Sequence, residues 1–308
     1  MLLFLLPSTV AAAPCLEYAA PETIAQTGES PVTESSGIAA SRRNPGAWFT
    51  HDDSGGGPEI HAFRLDGTYL GRHRIEGANS FDWEDMAAGP CPQSAGDCLF
   101  LADTGDNFRI RPHVTVYAVE EPARVGGPLP DREGTPLPVI QSWKLLYPEG
   151  KPDVETLLVH PLSGAITLVT KEAGGGSLVY RAPTTPSEEP QLLQRVAELH
   201  IEGLTMQERM ITGGGWQAQG ESVAIRSYVR ALEWTVDPRD ADAHWERPPR
   251  THPLAVEVQG EAIAYTLEGD LVTTSEGHPM PVSRLACLEW EEQPPPGVLR
   301  RLLWHRAR

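Results

Sequence analysis

Short runs of alternating apolar and polar residues, broken by Gly, Pro, Asp and Ser, fill the chain from Glu34 to Leu288. That period of two predicts half-buried β-strands. No stretch carries the 3.6-residue period of a long amphipathic helix. The clearest pattern lies between Ser80 and Asn107. There Trp83-Glu84-Asp85-Met86-Ala87-Ala88 is followed by a Cys91–Cys98 loop and then by Leu99-Phe100-Leu101-Ala102-Asp103-Thr104-Gly105-Asp106-Asn107. This predicts strand, loop, strand. In an antiparallel hairpin the carboxylates that open the first strand and close the second lie side by side.

The same grammar recurs. Glu34-Ser35-Ser36-Gly37-Ile38-Ala39 precedes Trp48–Gly55; Asp153-Val154-Glu155-Thr156-Leu157-Leu158 precedes Thr167–Gly174; Gly260-Glu261-Ala262-Ile263-Ala264 precedes Leu271–Gly277. A degenerate copy, Ile211-Thr212-Gly213-Gly214-Gly215-Trp216, precedes Val223–Tyr228. Third strands follow at Ile60–Leu65, Val114–Val119, Ser177–Arg181 and Ala231–Val236, with a polar outer run such as Leu70–Ile75. From Ile38 to Met86, Leu157, Gly213 and Ile263 the steps are 48, 71, 56 and 50 residues. Repeats near this length built of short strands predict propeller blades. The expected fold is therefore all-β: one five-bladed β-propeller over residues 15–290. Six blades is the alternative, because the 71-residue step has room for a divergent blade between Ala123 and Leu146; a β-sandwich is the bland reading. Ala123–Pro138, rich in Pro, Gly and charge, reads as a surface loop, and Thr184–Pro190 and Asp237–His252 read alike.

Composition changes this picture in two places. The formal net charge of −17 argues against a nucleic-acid backbone as partner; an acidic pore would attract cations or cationic ligands, but acidity alone is common in soluble secreted proteins, and that plainer reading is preferred. Four cysteines allow three pairings. Cys91 and Cys98 bracket one hairpin loop and are expected to bond. Cys15 and Cys287 flank the folded region, and a bond between them would lock the ring; two buried free thiols are the alternative. The closing strands are expected at Leu16–Ala19 and Ser283–Leu288. Residues 1–14, an apolar run ending in Ala11-Ala12-Ala13-Pro14, look like a signal peptide, so the expected location is secreted, periplasmic or cell-surface, with no membrane-spanning segment. They lack a basic start, so a true start upstream of Met1 is the expectation. Residues 291–308, Pro-rich and then basic, read as a solvated tail. A monomer is expected.

Strand entries converge on a propeller's pore. Glu84, Glu155 and Glu261 from three copies, with Asp85 and Asp153 beside them, form a candidate all-oxygen metal site, and such a donor set suits Ca²⁺ better than zinc. The alternative is that these carboxylates cap their own strands or form an ion-pair ring with Lys171 and Arg226. The strand-end column supplies the candidate catalytic residues: Asp53, Asp103 and His51, the last a general base beside a metal-bound water. Glu172 and Ser275 occupy the same column. Ser36 and Ser54 lack a Gly-x-Ser-x-Gly setting, against a serine hydrolase.

Trp83-Glu84-Asp85-Met86 with the Leu99–Gly105 strand resembles the calcium-dependent propellers of the paraoxonase and gluconolactonase type. Gly260–Ala264 and Asp153-Val154-Glu155 resemble the strand entries of esterase-like phytase domains. A group of secreted bacterial β-propellers with THxDSG, DWED, DTGDN and VTK blocks is more similar still. The resemblance spans Glu34 to Leu288 in patches. It implies that Glu84 and Asp85 help hold a central calcium and that the activity is hydrolysis of an ester, lactone or phosphoester. The chain departs from it at Thr212 and the three glycines that follow, in its scarcity of Asn ligands other than Asn107, and in lacking a placeable catalytic His pair. Two other readings stay open: a non-catalytic propeller binding a ligand or partner at the cell surface, and a glycan-binding or glycan-cleaving propeller using paired pore carboxylates.

Overall fold

The structure is a computed structural model that describes residues 13–290, apart from 55, 129–131 and 238–241. The signal-like residues 1–12 and the tail 291–308 lie outside the described residues. Ala13 and Pro14 are described and buried, and the Ala13 carbonyl accepts a hydrogen bond from Gln217 Nε2 at 2.9 Å.

The fold is all-β, with one capped helical turn at Met206–Arg209 and a 3₁₀ turn at Ala243–Glu246. Among the described residues the strands form five antiparallel four-stranded meanders. The first runs through Ser35–Ala40, Trp48–Asp52, Glu59–Phe63 and Tyr69–Glu76. The second uses Trp83–Pro90, Asp97–Asp103, Val114–Glu120 and Leu137–Leu146; the third Val154–Val159, Ile166–Thr170, Gly176–Arg181 and Gln194–His200. The fourth uses Ile211–Trp216, Ser222–Ser227, Arg230–Thr235 and Arg250–Pro253. The fifth joins Gly260–Tyr265, Leu271–Ser275 and Met280–Leu285 to Glu22–Thr27 from the other end of the chain. A short parallel seam, Ile75 opposite Leu137 and Glu76 opposite Pro138, links the outer edges of the first two.

The first strands of the five meanders lie against one another in sequence, and the fifth lies against the first, so they close a ring. Close approach there demands small residues. A Cβ on Gly37, Gly213 or Gly214 would overlap Met86 N, Glu261 O or Thr156 Cγ2 of the neighbouring first strands. That is why these strands read SSGIAA and ITGGGW.

Period two explains the core. Each middle strand is buried on both faces, and successive residues serve different neighbours. Leu99 and Leu101 pack with Phe49, Ile60 and Trp83 toward the first meander, whereas Phe100 and Ala102 pack with Trp143, Leu157 and Leu168 toward the third. Val223 and Ile225 face Val169 and Leu199; Ala224, between them, faces Ile263 and Leu271. Ile38, Trp48 and Phe63 meet Val272 and Val282 where the fifth meander meets the first. Five apolar clusters thus fill the five gaps between neighbouring meanders.

The interval Ala123–Leu146 contributes one strand, Leu137–Leu146, which is the outer strand of the second meander. The closing strand differs from the expectation. Glu22–Thr27, not Leu16–Ala19, pairs with Met280–Leu285. Cys15–Tyr18 pairs instead with Cys287–Trp290 in a separate two-stranded ribbon. Glu22–Thr27 is a half-exposed outer strand with few apolar residues, so its sequence carries little signal.

Cys15 is bonded to Cys287 and Cys91 to Cys98. The first bond fastens the ribbon across 272 residues of sequence. Replacing Cys15 and Cys287 by Ala is expected to cost about 5 kcal/mol by the loop-closure estimate. Urea unfolding of the double variant should show it as a lower midpoint, with a steeper slope because the unfolded chain is no longer cross-linked. A midpoint within error of wild type would show that strand pairing alone holds the chain ends.

Candidate metal centre at the acidic end of the ring

Each first strand begins with the same irregularity. The ladder skips Glu84 between Trp83 and Asp85, Glu155 between Val154 and Thr156, Thr212 between Ile211 and Gly213, and Glu261 between Gly260 and Ala262. A shift of the same kind lies between Ser35 and Ile38. One extra residue against the partner strand is a β-bulge, and bulges re-aim the side chain that they carry. Glu84, Glu155 and Glu261 are the carboxylates on that column; Ser36 and Thr212 occupy it in the other two meanders. The hydroxyls bond to neighbouring backbone, Ser36 Oγ to Glu84 O at 2.5 Å and Thr212 Oγ1 to Gly260 O at 3.0 Å.

Around this column three groups of carboxylates have oxygens within 4.8 Å of one another: Glu84, Asp153 and Glu155; Asp53, Asp82 and Glu84; and Asp53, Glu261 and Glu276. Glu84 and Asp53 each belong to two groups, so seven residues form one arc. Glu84, Asp153 and Glu155 are all buried, whereas Asp53, Asp82 and Glu276 are half-buried. Gly105 walls the arc, and a Cβ there would overlap Glu84 Oε1 and Asp82 Oδ2.

Compensation is thin. Lys171 Nζ bonds Glu155 Oε1 and lies 5.4 Å from the centre of the Tyr228 ring. Asp153 Oδ1 accepts from Asp106 N at 2.8 Å. Glu155 Oε2, Glu261 Oε2 and Asp53 Oδ1 are buried with no hydrogen-bond partner. Arg226, fully buried, pairs with Glu257 at 2.7 Å rather than with Glu261. The ion-pair alternative is therefore met at Lys171 and not at Arg226.

Burial, reinforced by like charge, pushes the arc's carboxyls upward. Glu84 is raised by burial and then by Glu155 and Asp53. Glu155 is raised by burial, against the pull of Lys171. Burial with Asp82 and Glu261 takes Asp53 to about 8; burial with Glu261 takes Glu276 to about 7. Burial disfavours the Lys171 ammonium, but Glu155 and Tyr228 outweigh it and hold its pKa above the ordinary value. Folded values above the unfolded carboxylate range mean that the metal-free native state keeps protons that the unfolded chain has released. Stability in chelator is thus fully present at low pH and falls as pH rises from about 4 to about 8. Urea midpoints at pH 5 and pH 8 in chelator should drop in that order, and calcium should shrink the difference. A rising midpoint would contradict the assigned environment.

The other expected site residues are placed differently. Asp85 sits at the ring but turns its carboxylate to backbone: Oδ1 accepts from Met86 N at 2.8 Å, Oδ2 from Leu157 N at 2.8 Å and Gly214 N at 3.3 Å. Asp103 pairs with Arg111 at 2.8 Å and accepts from Asp82 N at 3.1 Å, one step behind the arc. His51 is wholly buried, with Nδ1 3.0 Å from Asp52 O and its ring edge-on to Trp83 at 5.5 Å. Burial lowers its pKa. The structure seats this histidine in the core: it shares a strand face with Phe49, and that face packs against Trp83 of the second meander, whereas Asp53 lies just past the strand's end. Glu172 meets Arg109 at 3.9 Å on the surface.

Asp82, Glu276 and Gln259 were not singled out from sequence. Asp82 directly precedes the Trp83-Glu84 entry. Glu276 directly precedes Gly277, one place beyond Ser275 in the strand-end column. Below the arc the axis is nearly filled; at the opposite end, Ala39, Met86, Gly214 and Ala264 line a cavity of about 50 Å³. No helix among the described residues is long and apolar enough to cross a membrane.

The chain matches no protein-family profile and no curated protein. Among solved structures it is similar to a putative oxidoreductase (glucose dehydrogenase) from Thermus thermophilus, at 11% identity and a TM-score of 0.44 over 88% of this chain and 100% of that one. It is similar to a gluconolactonase from Xanthomonas campestris, at 13% identity and 0.44 over 89% and 96%. It is also similar to the Kuenenia stuttgartiensis hydrazine synthase, at 10% identity and 0.42 over 82% and 72%. These likenesses are too distant to carry an argument about chemistry, which rests on this chain's own residues.

Proposed function

We propose that the five meanders are the blades of a five-bladed β-propeller, and that Glu84, Asp153 and Glu155 hold a calcium ion on its axis. The observation that carries this reading is Glu155 Oε2: a fully buried carboxylate oxygen without a partner, amid two further buried carboxylates. Several such groups share a small volume only with a cation or protons to offset them. The donors are all hard oxygens, with no Cys or His among them, which suits Ca²⁺.

We further infer a hydrolase of esters, lactones or phosphoesters that works outside the cytosol, where both disulfides persist. The bound ion would supply Lewis-acid polarisation of a carbonyl or phosphoryl oxygen. Asp53, half-buried beside Glu84 and with its pKa pushed up to about 8 by burial, would take a proton from an attacking water. Lys171 orients Glu155, and Asp103 braces the Asp82 backbone. The test is turnover of an aryl ester, a lactone and an aryl phosphate, in calcium and in chelator, by wild type and Asp53→Asn. Calcium-dependent turnover that Asp53→Asn reduces at least tenfold supports the reading. Calcium bound without turnover on any substrate favours a non-catalytic binding propeller, the reading to which the withdrawal of His51 into the core also points.

A further inference from the structure

We propose that Asp53, Glu261 and Glu276 form a receptor for an organic cation, a primary ammonium or guanidinium group carried on an apolar body. These three residues form the more open end of the arc, since Asp53 and Glu276 are half-buried where Glu84, Asp153 and Glu155 are all buried.

Charge is the first argument. A divalent ion on the deeper group leaves these carboxylates uncompensated, and the nearby cations are engaged elsewhere: Lys171 with Glu155, Arg226 with Glu257, Arg111 with Asp103. Glu261 is 3% exposed, and its Oε2 is buried without a partner inside the group. Asp53 Oδ1 is likewise unpartnered. The polar neighbours of Asp53 and Glu261 on this side are the carboxyls of Asp82 and Glu276, so no N–H group among the described residues reaches these two oxygens.

The second argument separates an organic cation from a metal. Gln259 Nε2 donates to Glu261 Oε1 at 2.9 Å and to Glu276 Oε1 at 2.5 Å. The spacing already suits an N–H donor bridging two carboxylates. A metal ion here would need the Gln259 amide turned over to offer its oxygen, whereas an N–H guest fits the amide as it stands. An ammonium offers three donors and a guanidinium five, enough for the remaining oxygens.

The third argument concerns what carries the charge. Val256 and Val258 are fully exposed on the segment that leads into Gln259, and Phe81, next to Asp82, is 63% exposed. Val258 and Phe81 thus stand next in sequence to Gln259, which bonds two of the carboxylates, and to Asp82, so exposed apolar side chains lie one residue away from the arc. The Phe81 ring already carries the Arg111 guanidinium at 5.0 Å, so this rim accommodates cations over an apolar face.

Calorimetric titration of hexylammonium into the protein tests the proposal. Runs in calcium and in chelator keep it separable from the deeper metal site. Saturable one-to-one binding is expected in both, with no response to hexanol. Glu276→Gln and Asp53→Asn should each weaken binding at least tenfold, and Glu172→Gln should leave it unchanged. Val258→Ser, a surface change, should weaken hexylammonium but not methylammonium, and it keeps the test sound if a carboxylate variant fails to fold. N-acetyl-lysinamide and N-acetyl-argininamide distinguish the source: binding by either points to a basic side chain of a peptide, and binding by hexylammonium alone to a small amine. No saturable heat with hexylammonium, equal binding of hexanol, or a second terbium ion per chain that disappears in Glu276→Gln would each overturn the proposal.

Discussion

Calcium added to the chelated protein is expected to raise its unfolding midpoint by about 5–10 °C, and Glu84→Gln to remove most of that rise. A ligand that binds only the native state stabilises it by about 2.7 kcal/mol at a hundredfold excess over Kd. A chain of this size gains roughly 2–4 °C per kcal/mol. Glu84 is the residue shared by the deep group and the middle one and is itself buried, so its loss reaches the proposed ion directly. Glu172→Gln, on a surface ion pair, is the control and should keep the full response. In chelator, Glu84→Gln should be at least as stable as wild type, because it removes a buried charge with no cation to face. Differential scanning calorimetry of the three proteins with and without calcium decides this. An unchanged wild-type midpoint would leave the arc held by protons and Lys171 alone.

Asp85→Ala is expected to behave in the opposite way, destabilising by about 3 kcal/mol or more with and without calcium. One carboxylate receives the backbone N–H groups of Met86, Leu157 and Gly214, which lie on three different first strands. Its removal strands three buried donors at once, and each costs about 1–3 kcal/mol. Asp85→Asn keeps one acceptor oxygen and should fall between the two. Urea unfolding in chelator measures the loss; a calcium response of wild-type size in Asp85→Asn would show that this residue holds the ring together rather than the ion. A loss of calcium response with little loss of stability would return Asp85 to the ligand set.

The two neighbours Glu84 and Asp85 show what sequence does and does not reveal. Strand positions were readable because gaps filled from both sides leave short continuous apolar runs bounded by turn residues: Leu99 and Phe100 are both apolar since each faces a different meander. The acidic column was readable because bulge residues escape that demand and keep a polar side chain at a fixed offset. Which of two adjacent acids faces the arc was not readable, because the bulge reverses the expected alternation at that point. His51 misled for a related reason: a histidine beside two aspartates looks functional in one dimension, but strand alternation points it at Trp83. Gln259 and Asp82 lie in loops, where no periodicity marks the side chains that reach the axis.

The fifth meander is assembled from both ends of the chain, with Glu22–Thr27 beside Met280–Leu285. During synthesis the first of these strands emerges long before its partner exists. Until then its edge is unsatisfied, and the gap between the fifth and first meanders stays open to water. Entropy makes a contact between such distant segments slow to form. Ring closure is therefore expected to come last, after the other meanders have formed. The carboxylate arc inherits that order, because Asp53 comes from the first meander while Glu261 and Glu276 come from the fifth: the deeper group, drawn from the second and third meanders, takes shape before closure, and the open end exists only after it.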